Sequence, residues 1–397
     1  MQNSLTTQRV LSIDAFRGIT ILVMIFVNEL AAVQGIPAWM KHMPATADAM
    51  TFVDVVFPAF LFIVGMSVPF AIASRLAKGD SVGQLNAHIL FRTLGLLVLG
   101  FFMVNAEGGY NEKAMAIPLA LWSLLFYVGV ILIWNVYTSL SKPVVYALRA
   151  TGVILLLVLA WLYRGGEDGT GTMTPQWWGI LGLIGWAYLV ACLWYQLVRG
   201  KLAGICAGIV LCAGLYILGK AGIVRDVPVL GWIAGQAGHA IHTAIVLCGI
   251  AVSLIFFDRK HAHTNDRRLL EVLAFALILV AAAFLARPYY KISKIFATPS
   301  WAFYSAAICC VIFTLLYWLI DLKHVSRWTA FFKPAASNPL LTYIIPFILY
   351  AVLRLLHTHF PGFLYEGVVG IVWSMVFAVA IMALVIGLNK LKIRLQL

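Results

Sequence analysis

Long apolar runs separated by short polar connections follow one another along almost the whole chain of 397 residues. A helical run of about 20 apolar residues is long enough to cross the roughly 30 Å hydrocarbon core of a bilayer. Backbone polar groups find no water there, so such runs fold as helices that satisfy their own hydrogen bonds. The sequence therefore predicts an all-α polytopic membrane protein, a bundle of about 10 to 12 transmembrane helices.

Composition leaves little room for anything else. Only 11% of the residues are charged and 63% are hydrophobic, whereas about 25% are charged in soluble domains. The polar start, residues 1–9, leads into a full apolar run without a cleavage pattern, so no signal peptide is expected. We predict a single transmembrane domain over residues 1–397. The candidate spans are residues 18–36, 53–74, 89–105, 117–137, 144–163, 178–197, 202–218, 239–257, 269–286, 301–320, 338–356 and 367–388.

The orientation follows from the basic connections, which include SRLAKGDS, VRGK and DRKHAHTNDRR. With a cytoplasmic N-terminus, about two thirds of the 28 Lys and Arg lie on the cytoplasmic side, as the positive-inside rule requires. Both termini are then cytoplasmic. The excess of Lys and Arg in the cytoplasmic connections explains the net charge of +13, so no nucleic-acid partner is predicted. DRKHAHTNDRR either contacts acidic lipid headgroups or is a solvated loop.

Metal and disulfide chemistry are not expected. All six cysteines fall inside apolar runs and no CxxC spacing occurs. His239 and His242 are three residues apart and share a helix face, but no third ligand of suitable spacing follows. The alternative is that they join His42 around a substrate, and His239 is predicted as a substrate contact.

A polar triplet lies at the outer mouth of the second span, in WMKHMPATADAMTFVD. It consists of His42, Asp48 and Asp54. Polar side chains where a helix enters the bilayer are costly and are usually functional. The triplet indicates a catalytic site at a membrane face.

The first span carries polar residues at both ends. Asp14 and Arg17 lie at its cytoplasmic end, and Asn28 and Glu29 lie deep in it or near its outer end. This pattern is typical of a polar path across a membrane. The alternative is that Asp14 and Arg17, three residues apart, form a pair that only anchors the helix.

The segment RPYYKISKIFATPSW contains three cationic residues on the outer side, contrary to the positive-inside rule. Arg287, Lys291 and Lys294 either bind an anionic ligand, bind outer-leaflet phosphates or pair with a carboxylate, for which Asp48, Asp54 and Glu107 are the candidates. Its aromatic residues, which include Trp301, are interpreted as interfacial belt residues.

In KPAASNPLLTYIIPF, Asn338 precedes Pro339 and is predicted to cap a helix. Capping alone explains this pattern. A helix start also offers free N–H groups to a nucleotide-type anion arriving from the cytoplasm, with Lys333 close by and Tyr343 in the same span.

Several of these segments together resemble one family. LSIDAFRGITILVMIFVN, a following His and TFVDVVFPAFLFIVGMS resemble the opening of the heparan-α-glucosaminide N-acetyltransferase family. ISKIFATPSW and SNPLLTY resemble two later blocks in the same order. The resembling blocks are residues 9–67, 287–301 and 333–347. The resemblance is greatest to the bacterial, NagX-like branch associated with amino-sugar use, which implies a bacterial inner membrane.

The resemblance implies that the protein is an enzyme, an acetyl-CoA-dependent transmembrane N-acetyltransferase. Cytoplasmic acetyl-CoA would give its acetyl group to the amine of a glucosamine-type sugar on the far side. His42 fits the place of the family's reactive His. Asn28, Asp54, Lys294 and Asn338 match further family positions. The loop HMPATADAMTFVD is two residues longer than in many members and lacks a Trp-Gly pair, which leaves the role of Asp48 open.

The chemistry is reasonable on its own terms. A sugar ammonium must lose a proton before it attacks a thioester, and imidazole, with an ordinary pKa of about 6.5, accepts protons near neutral pH. Asp54 would orient the ring of His42, as the Asp of a Ser-His-Asp triad orients its His. Alternatively, His42 carries the acetyl group covalently. Lys294 or Asn28 would hold the developing oxyanion.

Ligand-binding roles are predicted at both faces. Outside, Asp48 would recognise the amine or the sugar hydroxyls. At the cytoplasmic mouth, cations are needed for the CoA phosphates. The predicted cofactor-binding residues are Asp14, Arg17, Arg92, Lys333, Asn338 and Tyr343.

Two other functions stay open. An O-acyltransferase acting on a lipid or polysaccharide hydroxyl would use similar residues. A secondary transporter for amino sugars would also show about twelve spans with intramembrane polar groups, although no repeat relates the two halves. The partners expected besides CoA and the amino sugar are membrane lipids, and a homodimer is left open.

Overall fold

The computed structural model describes residues 10–222, 229, 231, 235–258 and 264–397. The hypothesis that DRKHAHTNDRR contacts lipid falls in part on residues 259–263, including His261 and His263, which lie outside the described residues.

Helices are the secondary-structure elements of the described residues, and loops connect them. Its α-helices are α1 (Leu11–Leu30), α2 (Val56–Ala77), α3 (Val82–Glu107), α4 (Leu119–Trp134), α5 (Lys142–Leu162), α6 (Gly179–Leu197), α7 (Leu202–Ala221), α8 (Ala237–Phe257), α9 (Asn265–Tyr290), α10 (Pro299–Tyr317), α11 (Lys333–Ser337), α12 (Pro339–Leu355) and α13 (Gly367–Lys390). Short 3-10 turns cover Ala38–Met40, Phe52–Val55, Arg327–Phe331 and Gly362–Tyr365, and a π-helical turn, Trp318–Leu322, continues α10.

Ten helical segments among the described residues are long and apolar enough to cross a membrane, and the apolar helices α4 and α12 are shorter. The prediction of an all-α polytopic membrane protein is confirmed. Each candidate span overlaps one of these helices. The bounds of the first one, 18–36, were wrong, because α1 begins at Leu11. Asp14 and Arg17 pair with each other at 3.1 Å, which lets the helix start among charged residues. It ends before Gly35, which has a φ of +68°.

Contacts divide the chain into two compact units. Unit 1 comprises Met1–Thr20, Pro37–Thr93 and Leu183–Ala330. Unit 2 comprises Ile21–Ile36, Leu94–Gly182 and Phe331–Leu397. The boundaries fall inside α1, α3 and α6. One continuous domain over the whole chain stays a prediction.

The core of unit 1 is built around the crossing of α2 and α8. A Cβ atom on Gly65 would collide with the carbonyl oxygen of Val246, and one on Gly249 with that of Phe62. Small residues let helix backbones approach this closely in membrane proteins. The Ser253 hydroxyl donates to the carbonyl oxygen of Met66 at 2.9 Å, which also satisfies that polar group. The crossing fixes the start of α2 beside the start of α8.

Unit 2 is held by polar contacts between helices and by its C-terminal tail. The Trp122 indole donates to the carbonyl oxygen of Leu159 at 2.8 Å and so joins α4 to α5. The Asn338 amide donates to Ile393 O at 2.9 Å and to Asn389 Oδ1 at 3.0 Å, and Leu395 N donates to Asn338 Oδ1 at 3.1 Å. Asn338 is fully buried. Its side chain therefore ties the chain end to the start of α12.

Candidate functional site

The loop that carries the polar triplet ends in a capped 3-10 turn. The Thr51 side chain accepts from Val53 N at 3.2 Å, and Asp54 Oδ2 accepts from Thr51 N at 3.0 Å. This reciprocal arrangement is a capping box. It holds the Asp54 carboxylate back over the loop, beside the preceding residues. The T-x-x-D spacing was the signal by which Thr51, which the sequence reasoning missed, was recognisable.

His42 and Asp54 meet at this turn. His42 Nδ1 lies 2.7 Å from Asp54 Oδ1, and Asp54 Oδ2 also accepts from Met43 N at 3.3 Å. The Asp54 side chain is 2% exposed and that of His42 is 41% exposed. An ionised carboxylate only accepts hydrogen bonds, so Nδ1 carries the proton. Nε2 of the exposed ring then has its lone pair available for a substrate.

Lys294 completes the cluster from a distant part of the chain. Its Nζ lies 3.3 Å from His42 Nδ1 and 3.2 Å from His42 Nε2. Being nearly equidistant from both nitrogens, the amine sits beside the ring rather than along one lone pair. Burial lowers the pKa of the Lys294 ammonium below its ordinary value, although the Asp54 carboxylate opposes this. The Lys294 ammonium therefore releases a proton at the imidazole more readily than the ammonium of an exposed lysine does.

The loop of residues 291–298 places Lys294. Ser293 N donates to Thr298 Oγ1 at 3.0 Å, and the Ser293 hydroxyl donates to the carbonyl oxygen of Ala45 at 2.7 Å. Lys291 and Ala297 have positive φ values of 52° and 47°. Strained backbone of this kind in non-glycine residues is held in place by its surroundings and clusters at functional sites. The loop is thus closed on itself and docked onto the His42 loop.

Asp48 holds the two loops together instead of lying free for a substrate. Arg287 Nε donates to its carboxylate oxygens at 3.1 and 3.0 Å, and Ile292 N donates to Oδ1 at 2.8 Å. Burial works against ionisation, but these donors outweigh it and keep the pKa of Asp48 below its ordinary value. Of the interpretations of the outer cations, pairing with a carboxylate is the one that the structure shows for Arg287.

Behind Asp54 lies a layer of buried rings. The Trp301 indole donates to the carbonyl oxygen of Asp54 at 3.1 Å, and Trp301 is fully buried. Its interpretation as an interfacial belt residue was wrong, because the indole N–H is needed to satisfy this buried carbonyl. His242 packs against Trp301 and Phe57, with ring centroids 6.1 and 5.3 Å away.

The predicted substrate contact His239 packs against Trp186, with ring centroids 6.2 Å apart. The Nδ1 atoms of His239 and of His242 are buried and have no hydrogen-bond partner among the described residues. His242 contacts Trp301, which in turn donates a hydrogen bond to Asp54. The structure does not show a contact between His239 and His42.

A model of the family described as a domain of unknown function, DUF5009, matches residues 9–223. The chain belongs to this family. It is also similar to the heparan-alpha-glucosaminide N-acetyltransferases of Homo sapiens, at 38% identity over 98 residues, and of Mus musculus, at 34% identity over 101 residues. These matches cover 24% and 25% of this chain and span only 14% of the length of each relative. The resemblance to this acetyltransferase is therefore supported over part of the chain.

The predicted cofactor residues of unit 1 are engaged with neighbouring side chains. Arg17 pairs with Asp14 and also donates to the Ser67 hydroxyl at 2.8 Å. This is the anchoring pair of the alternative interpretation. The Arg92 guanidinium lies 5.0 Å from the centroid of the Tyr188 ring, a cation–π contact. A role of these residues in CoA binding stays a prediction.

The other predicted residues lie in unit 2. Asn28 is exposed on the last turn of α1, and Lys333 is exposed at the start of α11. Tyr343 is buried against Phe347, with ring centroids 5.4 Å apart. Asn338 occupies the N-cap position of α12, but its side chain makes no cap hydrogen bond. The prediction of a capping side chain was wrong because the C-terminal tail takes its polar atoms. The six predicted cofactor residues are thus divided between the two units.

Proposed function

We propose that this protein transfers the acetyl group of cytoplasmic acetyl-CoA to the amine of a glucosamine-type sugar across a membrane. The observation that carries the proposal is the His42 ring, with Nδ1 held by Asp54 and Nε2 exposed 3.2 Å from Lys294. An oriented imidazole beside an ammonium donor is what acyl transfer to an amine needs. The partial similarity to the two named N-acetyltransferases supports the choice of substrates.

In the direct route, His42 acts as a general base. Its Nε2 takes a proton from the sugar amine while the amine nitrogen attacks the thioester carbonyl. The charge that develops on the carbonyl oxygen is stabilised by the Lys294 ammonium. A role of Asn28 in this step stays a prediction. The C–S bond then breaks, and the imidazolium returns the proton to the departing CoA thiolate. Asp54 stabilises the imidazolium throughout and does not itself take up a proton.

In the covalent route, His42 Nε2 attacks the thioester itself. CoA leaves as a thiol, with Lys294 as the proton source, and the acetyl group stays on the imidazole until the amine takes it. The two routes differ in one measurable way. With acetyl-CoA and no acceptor, the covalent route releases about one CoA per protein in a rapid burst, as acyl-enzyme formation does. The direct route releases none.

The proposed setting is the inner membrane of a bacterium, in line with the NagX-like resemblance, with the His42 loop outside and both termini in the cytoplasm. Acetyl-CoA then approaches from the cytoplasm as a co-substrate. Arg17 and Arg92 are the cations proposed for its phosphates, because charge-assisted hydrogen bonds to phosphate are the strong ones. A part of Lys333 in CoA binding stays a prediction. Neither a metal nor a nucleic acid has a part in this proposal.

The experiment uses the full chain, purified in detergent, with acetyl-CoA and one acceptor at a time. Glucosamine should cause continuous CoA release, detected with a thiol reagent, and N-acetylglucosamine should form. Glucose, which has a hydroxyl in place of the amine, should not support release. Release with hydroxyl acceptors alone would identify an O-acyltransferase. No release with any acceptor, together with glucosamine uptake into proteoliposomes, would identify a transporter.

A further inference from the structure

Unit 2 contains a buried carboxylate that the proposed chemistry does not use. Glu29 lies in the last turn of α1 and is 5% exposed. The Tyr350 hydroxyl lies 2.7 and 2.6 Å from its two oxygens, and the Trp373 indole nitrogen lies 2.9 Å from Oε1. Over the described part of the chain, no Lys, Arg or His is within ion-pair distance of this carboxylate. A buried charge without a counter-ion is costly, so the arrangement requires an explanation.

The neighbouring donors satisfy Glu29 only in part. A carboxylate offers about four lone-pair positions. The Tyr350 hydroxyl has a single proton to share between the two oxygens, and the Trp373 indole supplies one more. Tyr365, whose hydroxyl oxygen lies 3.3 Å from that of Tyr350, is a third hydrogen-bonding neighbour of Glu29 and brings the donors to three. Acceptor capacity therefore remains on the Glu29 side chain, and it suits a cation that carries N–H donors.

Aromatic rings pack against the two donors of this carboxylate, Tyr350 and Trp373. The ring of Phe360 lies 4.9 Å from that of Trp373 and 6.2 Å from that of Tyr350, and Phe377 lies 5.9 Å from Tyr350. We call Glu29 with these four rings the Glu29 box. The faces of aromatic rings attract cations, most strongly where water is excluded. Tyr350 is 37% exposed, so the box reaches the surface of the protein.

A cavity of about 540 Å³ adjoins the box. Gln34, Phe363 and Glu366 are among its lining residues. Its lining residue Gln34 follows Glu29 by five residues, and Gln34 N donates to the carbonyl oxygen of Tyr365 at 2.8 Å. Its volume is in the range of pockets that hold small molecules. The pocket therefore lies close to the hydrogen-bonded neighbours of Glu29.

We propose that the Glu29 box binds the primary ammonium group of a small polar ligand. The choice of an amino sugar as that ligand rests on the proposed function. Such a sugar arrives in its protonated form, and the box captures it through the carboxylate and the ring faces. The neutral N-acetylated sugar lacks the charge and is not retained. Glu29 thereby distinguishes acceptor from product.

Binding of glucosamine to the purified full chain, measured by isothermal titration calorimetry without acetyl-CoA, tests the site. Wild-type protein should bind glucosamine, and Glu29→Gln should bind it at least about tenfold more weakly. Gln keeps the size and an acceptor oxygen but not the charge. Glu167→Gln, which removes an exposed carboxylate elsewhere in unit 2, is the matched control and should bind like wild type. N-acetylglucosamine should bind wild type at least about tenfold more weakly than glucosamine.

Equal affinity of Glu29→Gln and wild type for glucosamine would overturn the proposal, as would the absence of glucosamine binding to wild type. The melting temperature and size-exclusion profile of each variant establish that it is folded. If Glu29→Gln does not fold, Trp373→Phe, which keeps the ring and removes the donor, replaces it and should still bind glucosamine less tightly than wild type.

The failure of this site and the failure of the proposed activity are distinguishable. His42→Ala should keep glucosamine binding, because His42 is not part of the box. Glu29-dependent binding without CoA release from wild type would retain the site and reject the acetyltransferase. CoA release by Glu29→Gln with an unchanged KM for glucosamine would retain the acetyltransferase and reject the site.

Discussion

Asp54 keeps its carboxylate almost entirely out of solvent, yet places Oδ1 2.7 Å from Nδ1 of His42, whose ring is 41% exposed. The buried Asp54 carboxylate therefore orients the exposed His42 ring. Since Asp54 also accepts from the backbone N–H groups of Met43 and Thr51, the carboxylate does not move with the ring. An imidazole fixed in this way presents the same nitrogen to every substrate.

Replacing His42 by Ala should lower the rate of CoA release with glucosamine by about 100- to 10,000-fold, the usual contribution of a general base. Binding of acetyl-CoA should be kept, because the imidazole acts at the reacting atoms. Steady-state kinetics and calorimetry with a non-hydrolysable CoA thioether measure the two effects. A variant that turns over at the wild-type rate would remove His42 from the mechanism.

Asp54→Asn should reduce kcat by about 100-fold or more while the fold stays intact, because an amide neither fixes the Nδ1–H tautomer nor stabilises imidazolium. The turn Phe52–Val55 keeps an acceptor oxygen for Thr51 N, so unfolding by denaturant should change little. Asp168→Asn, in an exposed loop of unit 2, serves as the control and should leave kcat unchanged. A wild-type kcat for Asp54→Asn would make the carboxylate purely structural.

Lys294→Met should slow CoA release and at the same time leave the protein as stable as wild type, or more stable, near neutral pH. Burial lowers the pKa of the Lys294 ammonium, so the unfolded state binds its proton more readily than the folded state does. The resulting penalty is fully present below the folded pKa and disappears as the pH rises towards the unfolded value of about 10.4. Unfolding free energies measured from pH 7 to pH 10 should therefore rise in wild type relative to the variant.

Lys291→Met is the matched control for this experiment, because Lys291 is an exposed lysine of the same loop. Its effects on rate and on the pH dependence of stability should be small. The assigned role of Lys294 would be contradicted if both variants released CoA at the wild-type rate.

The pair of Asp48 and Arg287 should couple the two loops only weakly in energy. Their side chains are 37% and 45% exposed, and exposed pairs contribute about 0.2 to 1 kcal/mol. A double-mutant cycle with Asp48→Asn and Arg287→Gln, read out as unfolding free energy, measures this coupling. Because the folded pKa of Asp48 is depressed, its contribution is present above the unfolded pKa of about 3.9 and is lost as the pH falls through the folded value. A coupling unchanged down to pH 2 would exclude this carboxylate as its source.

The crossing of α2 and α8 should tolerate no side chain. Gly249→Val places atoms against the carbonyl oxygen of Phe62, so we expect a loss of about 2 kcal/mol or more in the free energy of unfolding. Gly387→Val, where a Cβ would meet nothing within 4 Å, is the control and should be nearly neutral. Thermal unfolding in detergent compares them. Equal melting temperatures of the two variants would contradict the packing described for unit 1.

The amino-acid sequence by itself determined the apolar helices and the presence of His42 and Asp54 in one polar segment before the second span. Hydropathy is a property of short segments, so each span was readable without its neighbours. His42 and Asp54 are separated by only 12 residues, and the resemblance to a known family placed both in one loop. Even here the start of α1 was missed, because an ion pair inside a helix compensates charges that hydropathy counts against a span.

Only the tertiary structure decided which distant side chains complete these groups. Lys294 reaches His42 across 252 residues, Trp301 reaches Asp54 across 247, and Tyr350 reaches Glu29 across 321. Such contacts depend on which faces of two packed helices meet and on how far the helices are shifted along their axes. The residues of one helix alone determine neither of these. Buried polar groups are satisfied by side chains from other helices and loops. The hydrogen-bond partners of Asp48, Asn338 and Trp301 therefore come from distant parts of the chain and could not be predicted from the neighbouring sequence.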